Sequence, residues 1–149
     1  MKVLIAEENA NCREALAGFF RGHASVVCAV ADGDKARACL QSDSFDAVIV
    51  HLNLPRGGAS EVAQAALAQN PEVVLIVVTA FGNGFRPVLQ APRMNGFLVQ
   101  KPYRAGQLLR LIEDAGALRP KMDPPVDMID KGYPVVQYAH HRSGDNTKD

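Results

Sequence analysis

The sequence predicts an α/β fold in which a parallel sheet is doubly wound, with helices covering both of its faces. Two observations support this fold class. Five short apolar runs recur along the chain without alternation of polar and apolar residues, and segments with helical spacing of apolar residues lie between them. Strands without alternation are covered on both faces. Strands that alternate with helices along the chain require right-handed crossovers, and these produce a doubly wound sheet.

The predicted strands are short, as is usual for buried parallel strands. They lie at VLIA (3–6), VVCAV (26–30), AVIV (47–50), VVLIVV (73–78) and FLV (97–99).

Apolar residues spaced three and four apart predict a helix after the first, second, third and fifth strands. Asn11, with Glu14 three residues later, and Asp34 are the predicted N-caps of the first two helices. The connection after the fourth strand (81–96) differs, because glycine and proline permit at most a short or broken helix there. The residues concerned are Gly82, Gly84, Pro87, Pro92 and Gly96.

A chain of 149 residues with 48% hydrophobic residues is long enough for one sizeable core. We expect one domain over residues 1–117, because all five apolar runs precede Leu118. Residues 118–149 contain several prolines and end in a polar stretch, which predicts a partly disordered tail. Within this tail, YPVVQYA (133–139) predicts either a short strand at a sheet edge or a segment that docks on a partner.

Sixteen basic and sixteen acidic residues leave no net charge, so the composition gives no support for binding nucleic acid or a membrane. Cys12, Cys28 and Cys39 lack the spacing of a zinc site and the even number of a disulfide framework. They are expected to be small core residues in a reducing compartment. The apolar run at the amino terminus is too short for a signal peptide, so we expect a cytoplasmic location.

Polar side chains follow the predicted strands at their carboxyl ends, where open α/β sheets bind ligands. Glu7 and Glu8 follow the first strand, and His51, Thr79 and Lys101 follow the third, fourth and fifth. Two carboxylates, a hydroxyl and an amine on converging loops are able to hold a divalent metal and a phosphoryl group.

Five motifs in order resemble the response-regulator receiver domains of bacterial two-component signalling. They are the acidic pair in LIAEEN, ADG (31–33), HLNLPRGG (51–58), VVTA (77–80) and KP (101–102), and the resemblance covers residues 2–117. It implies a flavodoxin-like, five-stranded (βα)5 fold. It also implies Mg²⁺ binding near Glu7 and Glu8, a hydroxyl at Thr79 that follows the phosphoryl group, and an amine at Lys101 that pairs with it.

By the same resemblance, His51 stands where the family has its phospho-accepting aspartate. A neutral imidazole adds no negative charge for a hard cation, so Mg²⁺ binding is expected to be weak or absent, with Glu7 and Glu8 as weak candidate ligands. Four roles remain open for His51. It either hydrogen-bonds with Glu7, Glu8 or Lys101 in an inactive pocket, accepts a phosphoryl group, ligates a transition metal with Glu7 and Glu8, or forms a pH-sensitive pair with Glu8.

These observations predict a non-enzymatic, phosphorylation-independent signalling module, an atypical pseudo-receiver without catalytic residues. Its expected partner is a protein such as a histidine kinase, a phosphotransfer protein or another regulator. The alternative is a phosphotransfer or metal-binding protein that uses His51 with Glu7 and Glu8. The sequence leaves the oligomeric state and the sign of regulation open.

Overall fold

The computed structural model describes residues 1–24, 26–80, 95–117 and 135–137, and within them the strands coincide with the apolar runs. The predicted broken segment covers residues 81–96; residues 81–94 of it lie outside the described residues, and Asn95 and Gly96 belong to a strand. The strands are β1 (Lys2–Ala6), β2 (Val26–Val30), β3 (Ala47–His51), β4 (Val74–Thr79), β5 (Asn95–Gln100) and β6 (Val135–Gln137). The helices are α1 (Ala10–Arg21), α2 (Gly33–Ser42), α3 (Gly58–Gln69) and α4 (Ala105–Ala117).

The sheet has the strand order β2-β1-β3-β4-β5-β6. The first five strands are parallel, which confirms the predicted doubly wound fold. Strand β6 pairs antiparallel with β5, with Phe97 opposite Gln137 and Val99 opposite Val135. The YPVVQYA segment therefore supplies the edge strand that was one of its two predicted roles. The other residues of the predicted tail lie outside the described residues.

The sheet separates two layers of buried side chains. Alternate residues of one strand belong to different layers: Leu4 and Ala6 pack with the residues of α2 and α3, whereas Val3 and Ile5 pack with those of α1 and α4. The central strands are apolar on both faces because each face is covered by helices.

The N-caps of the first two helices each lie two residues nearer the amino terminus of the chain than predicted. Asn9 caps α1 and accepts a hydrogen bond from the Cys12 N–H (3.0 Å), so the prediction of Asn11 was wrong. Asp32 caps α2 and accepts from the Lys35 N–H (2.9 Å), so the prediction of Asp34 was also wrong. In each case two residues that can cap a helix lie two positions apart. The preference of the N-cap position for Asn and Asp does not distinguish between them.

The start of α2 contacts the turn that follows β3. The Gly33 N–H donates to the Pro55 carbonyl (2.9 Å), and a Cβ atom at Gly33 would overlap the Arg56 carbonyl oxygen. Position 33 therefore requires glycine. The turn itself has positive φ at Arg56 (57°), Gly57 (114°) and Gly58 (57°). Such angles favour glycine, and glycine occupies two of the three positions.

A second contact between these elements is made by a charged side chain. The Arg37 guanidinium on α2 donates to the carboxylates of Asp34 and of Glu61, and Glu61 lies on α3. The contact links α2 to α3 on the same side of the sheet.

Within the described parts of the chain, no helix is both long enough and apolar enough to cross a membrane.

Candidate functional site

The strand register brings four of the five predicted site residues to one edge of the sheet. Ala6 lies opposite Val50, and the residues that follow them are Glu7 and His51. On the next strand, His51 lies opposite Val78, which precedes Thr79. The Lys101 N–H donates to the Thr79 carbonyl (2.8 Å), so the start of the Lys101 loop continues the same edge.

Glu7 is the most buried carboxylate of this edge, with 3% of the residue exposed. Its two carboxylate oxygens have different partners: the Asn9 N–H donates to Oε1 (3.0 Å), and Lys101 Nζ donates to Oε2 (3.4 Å). A buried carboxylate is costly unless it is paired and hydrogen-bonded. The Asn9 N–H and the Lys101 amine therefore provide a partner for each oxygen of the buried Glu7 carboxylate.

Glu8 points away from this arrangement. It is exposed, and the hydrogen bond that the structure shows for it is at its backbone carbonyl, which accepts from Arg13 Nη1 (3.2 Å). The same guanidinium nitrogen donates to the Glu7 carbonyl (2.9 Å). Arg13 thus fixes the backbone of the acidic pair, and only the first of the two carboxylates lies inside the pocket.

His51 ends β3 and is half-buried. Its Nδ1 atom is buried and has no hydrogen-bond partner among the described residues. Hydrogen bonding to Glu7, Glu8 or Lys101 was one of the four open roles of His51, and the described residues show no such bond at Nδ1. The amine of Lys101 contacts Glu7 instead.

Thr79 is almost completely buried at the end of β4, with 1% of the residue exposed. It alternates with Leu75 and Val77, which belong to the layer covered by α2 and α3. His51 alternates with Ala47 and Ile49, which belong to the opposite layer. By this alternation the hydroxyl and the imidazole stand on different faces of the sheet edge.

Tyr103 is a residue of this site that the sequence reasoning did not identify. It lies two residues after Lys101 and packs partly buried against the layer covered by α1 and α4. Burial raises the pKa of the Tyr103 hydroxyl to about 12, with smaller contributions from the charges of Glu7 and Cys12. Its position in the KPY sequence was the available signal, and spacing alone does not show that it is buried near the Glu7 charge.

The described residues contain no group of three or more His, Cys, Asp or Glu side chains that could hold a metal ion. Glu7, Glu8 and His51 are neighbours along the sheet edge but are not gathered into a ligand set.

The chain is similar to one known family and to solved structures over most of its length. The family model for the response regulator receiver domain matches residues 3–113. No curated protein matches the chain by sequence. Among solved structures, a response regulator receiver protein from Sinorhizobium medicae WSM419 is similar at 19% identity and a TM-score of 0.67, over 80% of this chain and 97% of that one.

Two further structures support the same fold. The receiver domain of a sensor histidine kinase from Pseudomonas aeruginosa PAO1, with a magnesium ion coordinated in its active-site cleft, is 24% identical with a TM-score of 0.58, over 75% of this chain and 93% of that one. The chemotaxis response regulator CheY4 of Vibrio cholerae is 21% identical with a TM-score of 0.61, over 76% and 97% of the two chains. Since the family model spans most of the chain, this protein belongs to the response regulator receiver domain family.

Proposed function

We propose that this chain is a pseudo-receiver, a non-enzymatic module that binds a protein partner without being phosphorylated. The observation that carries the proposal is His51, which occupies the end of the central strand β3, where the resemblance to receivers places the phospho-accepting aspartate. The buried Nδ1 atom also supports it, because among the described residues it has no hydrogen-bond partner that could take a proton from the ring.

The other residues of the edge support the same proposal. A hard divalent cation such as Mg²⁺ prefers several oxygen ligands, and carboxylates are the strongest of them. Here the Glu7 carboxylate is engaged by Lys101 and the Asn9 N–H, Glu8 is exposed, and position 51 supplies a nitrogen. These residues do not fit Mg²⁺, and we propose that the protein has no metal cofactor.

The Lys101–Glu7 ion pair has a second consequence. In the receiver reaction, as the resemblance implies it, the lysine pairs with the phosphoryl group, and here that amine already has a buried partner. Breaking such a pair leaves an uncompensated buried charge, which is strongly unfavourable. The ion pair therefore keeps Lys101 bound to Glu7, and an incoming anion would have to break this pair to bind Lys101.

We propose a partner from a two-component pathway, such as a histidine kinase, a phosphotransfer protein or another regulator. Membership of the receiver family supports this class of partner. For the binding surface we propose the exposed side of α4, where Glu113 and Asp114 face solvent.

The experiment is intact-mass measurement of the full chain after incubation with a phosphorylated histidine kinase and Mg²⁺, with the variant His51→Ala in parallel. We expect no gain of a phosphoryl group in either protein. In the same series, Mg²⁺ with beryllofluoride should leave the unfolding midpoint of the wild type unchanged, because a ligand stabilises a protein only through binding to its folded state. Affinity capture of the same kinase should be equal with and without ATP.

Two outcomes would contradict the proposal. An acid-labile phosphoryl group that appears on the wild type and is lost in His51→Ala would support phosphotransfer by the imidazole instead. A rise of several degrees in the unfolding midpoint at millimolar Mg²⁺ would show that the metal site is intact.

A further inference from the structure

We infer that Cys28 and Cys39 form a redox-active dithiol, which a low-molecular-weight disulfide such as oxidised glutathione converts into an intramolecular disulfide. The inference does not depend on the proposed function, because both cysteines lie outside the strand-end pocket. Cys28 is on β2, and Cys39 is on α2.

The first argument is the position of the two sulfur atoms. Cys28 Sγ and Cys39 Sγ are 2.7 Å apart, and either thiol can donate to the other. A disulfide requires about 2.05 Å between the sulfur atoms, so a bond needs only a small approach of the two side chains. The fold creates this contact, because Cys28 lies opposite Leu4 in the sheet and Cys39 lies between Ala36 and Leu40 on the buried face of α2.

The second argument is access. All three cysteines had been expected in the core, yet each of them is partly exposed. Cys28 and Cys39 are only partly buried against the layer formed by α2 and α3, so we expect oxidised glutathione to reach them without unfolding of the domain. A fully buried pair would be inert, whereas reactive cysteines are partly exposed.

The third argument concerns which thiol reacts first. Burial raises the pKa of the Cys28 thiol to about 12, with further contributions from its hydrogen bond and proximity to Cys39. Because the thiolate is the nucleophile, this raised pKa disfavours Cys28 as the first thiol to attack, and we place the first attack at Cys39, whose sulfur lies 2.7 Å away. The geometry then places the Cys28 sulfur beside the mixed disulfide that forms on Cys39.

The reaction proceeds in two exchanges. In the first, the Cys39 thiolate attacks one sulfur of oxidised glutathione, the S–S bond of glutathione breaks, and one glutathione thiolate leaves and takes up the proton lost by Cys39. In the second, the Cys28 sulfur attacks the Cys39 sulfur, and the second glutathione leaves with the proton of Cys28. Two protein thiols are oxidised and one glutathione disulfide is reduced to two thiols. In reducing compartments such disulfides are usually transient and redox-sensing, and excess reduced glutathione reverses the exchange.

The bond would fix α2 against the edge strand β2. It closes a ring of twelve residues, from Cys28 to Cys39. A ring of this size should raise the unfolding midpoint of the full chain by about 10 °C.

The test treats the folded full chain with oxidised glutathione and then alkylates the remaining thiols under denaturing conditions. In the wild type we expect a mass decrease of two hydrogen atoms before alkylation. After alkylation we expect one modified cysteine and, after digestion, a cross-linked peptide pair that contains Cys28 and Cys39. Dithiothreitol should restore three alkylated cysteines and reverse the rise in midpoint. The matched control Cys12→Ser should form the same bridge and leave no free thiol.

The single variants test the order of attack. Cys28→Ser should stop at a stable glutathione adduct on Cys39, because the resolving thiol is missing, whereas Cys39→Ser should accumulate less adduct on Cys28. Three alkylated cysteines in the oxidised wild type, or a bridge that includes Cys12 or joins two chains, would overturn the inference. The wild-type result decides the question even if a single variant fails to fold.

Discussion

Replacing His51 with aspartate should destabilise the metal-free protein, and Mg²⁺ should reverse the loss. The new carboxylate would end β3 beside β1, where Ala6 lies opposite Val50. Adjacent strands lie about 4.8 Å apart, so the added carboxylate would stand roughly that far from Glu7. Glu7 is buried and charged, and its present partner is Lys101.

The size of the effect follows from these positions. Two unit charges about 5 Å apart repel by about 3 kcal/mol at an effective dielectric constant of about 20. The Lys101 amine offsets part of this repulsion, and water reaches the half-buried position 51. We therefore expect a net loss of about 1–2 kcal/mol in the free energy of unfolding.

The matched control is His51→Leu, which removes the buried Nδ1 atom without adding charge. An unsatisfied buried polar group costs about 1–3 kcal/mol, so this variant should be as stable as the wild type or more stable by about 1 kcal/mol. Urea unfolding with and without millimolar Mg²⁺ measures both effects, and calorimetry measures Mg²⁺ affinity directly. The reasoning is refuted if His51→Asp matches His51→Leu in stability and gains no affinity for Mg²⁺.

Three further predictions concern other parts of the molecule. Lys101→Met should lower the free energy of unfolding by about 2 kcal/mol, because it leaves the buried Glu7 carboxylate without its ion-pair partner. The double variant that also carries Glu7→Gln should recover most of this loss. A coupling energy near zero in this double-mutant cycle would exclude the ion pair. Since the pKa of Tyr103 is raised to about 12, its protonated hydroxyl favours the folded state below pH 10, and this stability is lost as the pH rises toward 12. Titration of tyrosine absorbance, with Tyr103→Phe as the control, should show one late-ionising group that the variant lacks. A chain truncated after residue 117 should still fold but should self-associate more than the full chain, because removal of β6 exposes the edge of β5. Circular dichroism measures the folding and sedimentation measures the association. An insoluble or molten truncated protein would show that β6 belongs to the core.

The strands were predictable because their apolar runs are uninterrupted, and the parallel order of the first four followed from the helices between them. The same local information failed at the helix starts. Asn9 and Asn11 are equally good caps by residue type, and the choice depends on where α1 packs, which is a tertiary effect.

The candidate site was predictable in its position but not in its contacts. The carboxyl ends of parallel strands meet at one edge, so the grouping of Glu7, His51 and Lys101 follows from topology. The pairing of Lys101 with Glu7, and the absence of a described partner for His51 Nδ1, depend on distances of a few ångström, which strand spacing does not define. The contact between Cys28 and Cys39 likewise requires the packing of α2 on β2.

The close approach of Gly33 to Arg56 links the two connections that follow β2 and β3. Any side chain at position 33 would push the Arg56 carbonyl away and move the turn that begins after His51. In a genetic screen for loss of partner binding, substitutions at Gly33 should therefore be recovered together with substitutions in the His51 turn, although the two sites are far apart in the chain. Such a pair of hits would reflect one shared backbone contact, and position 33 should not be counted as part of the partner-binding surface.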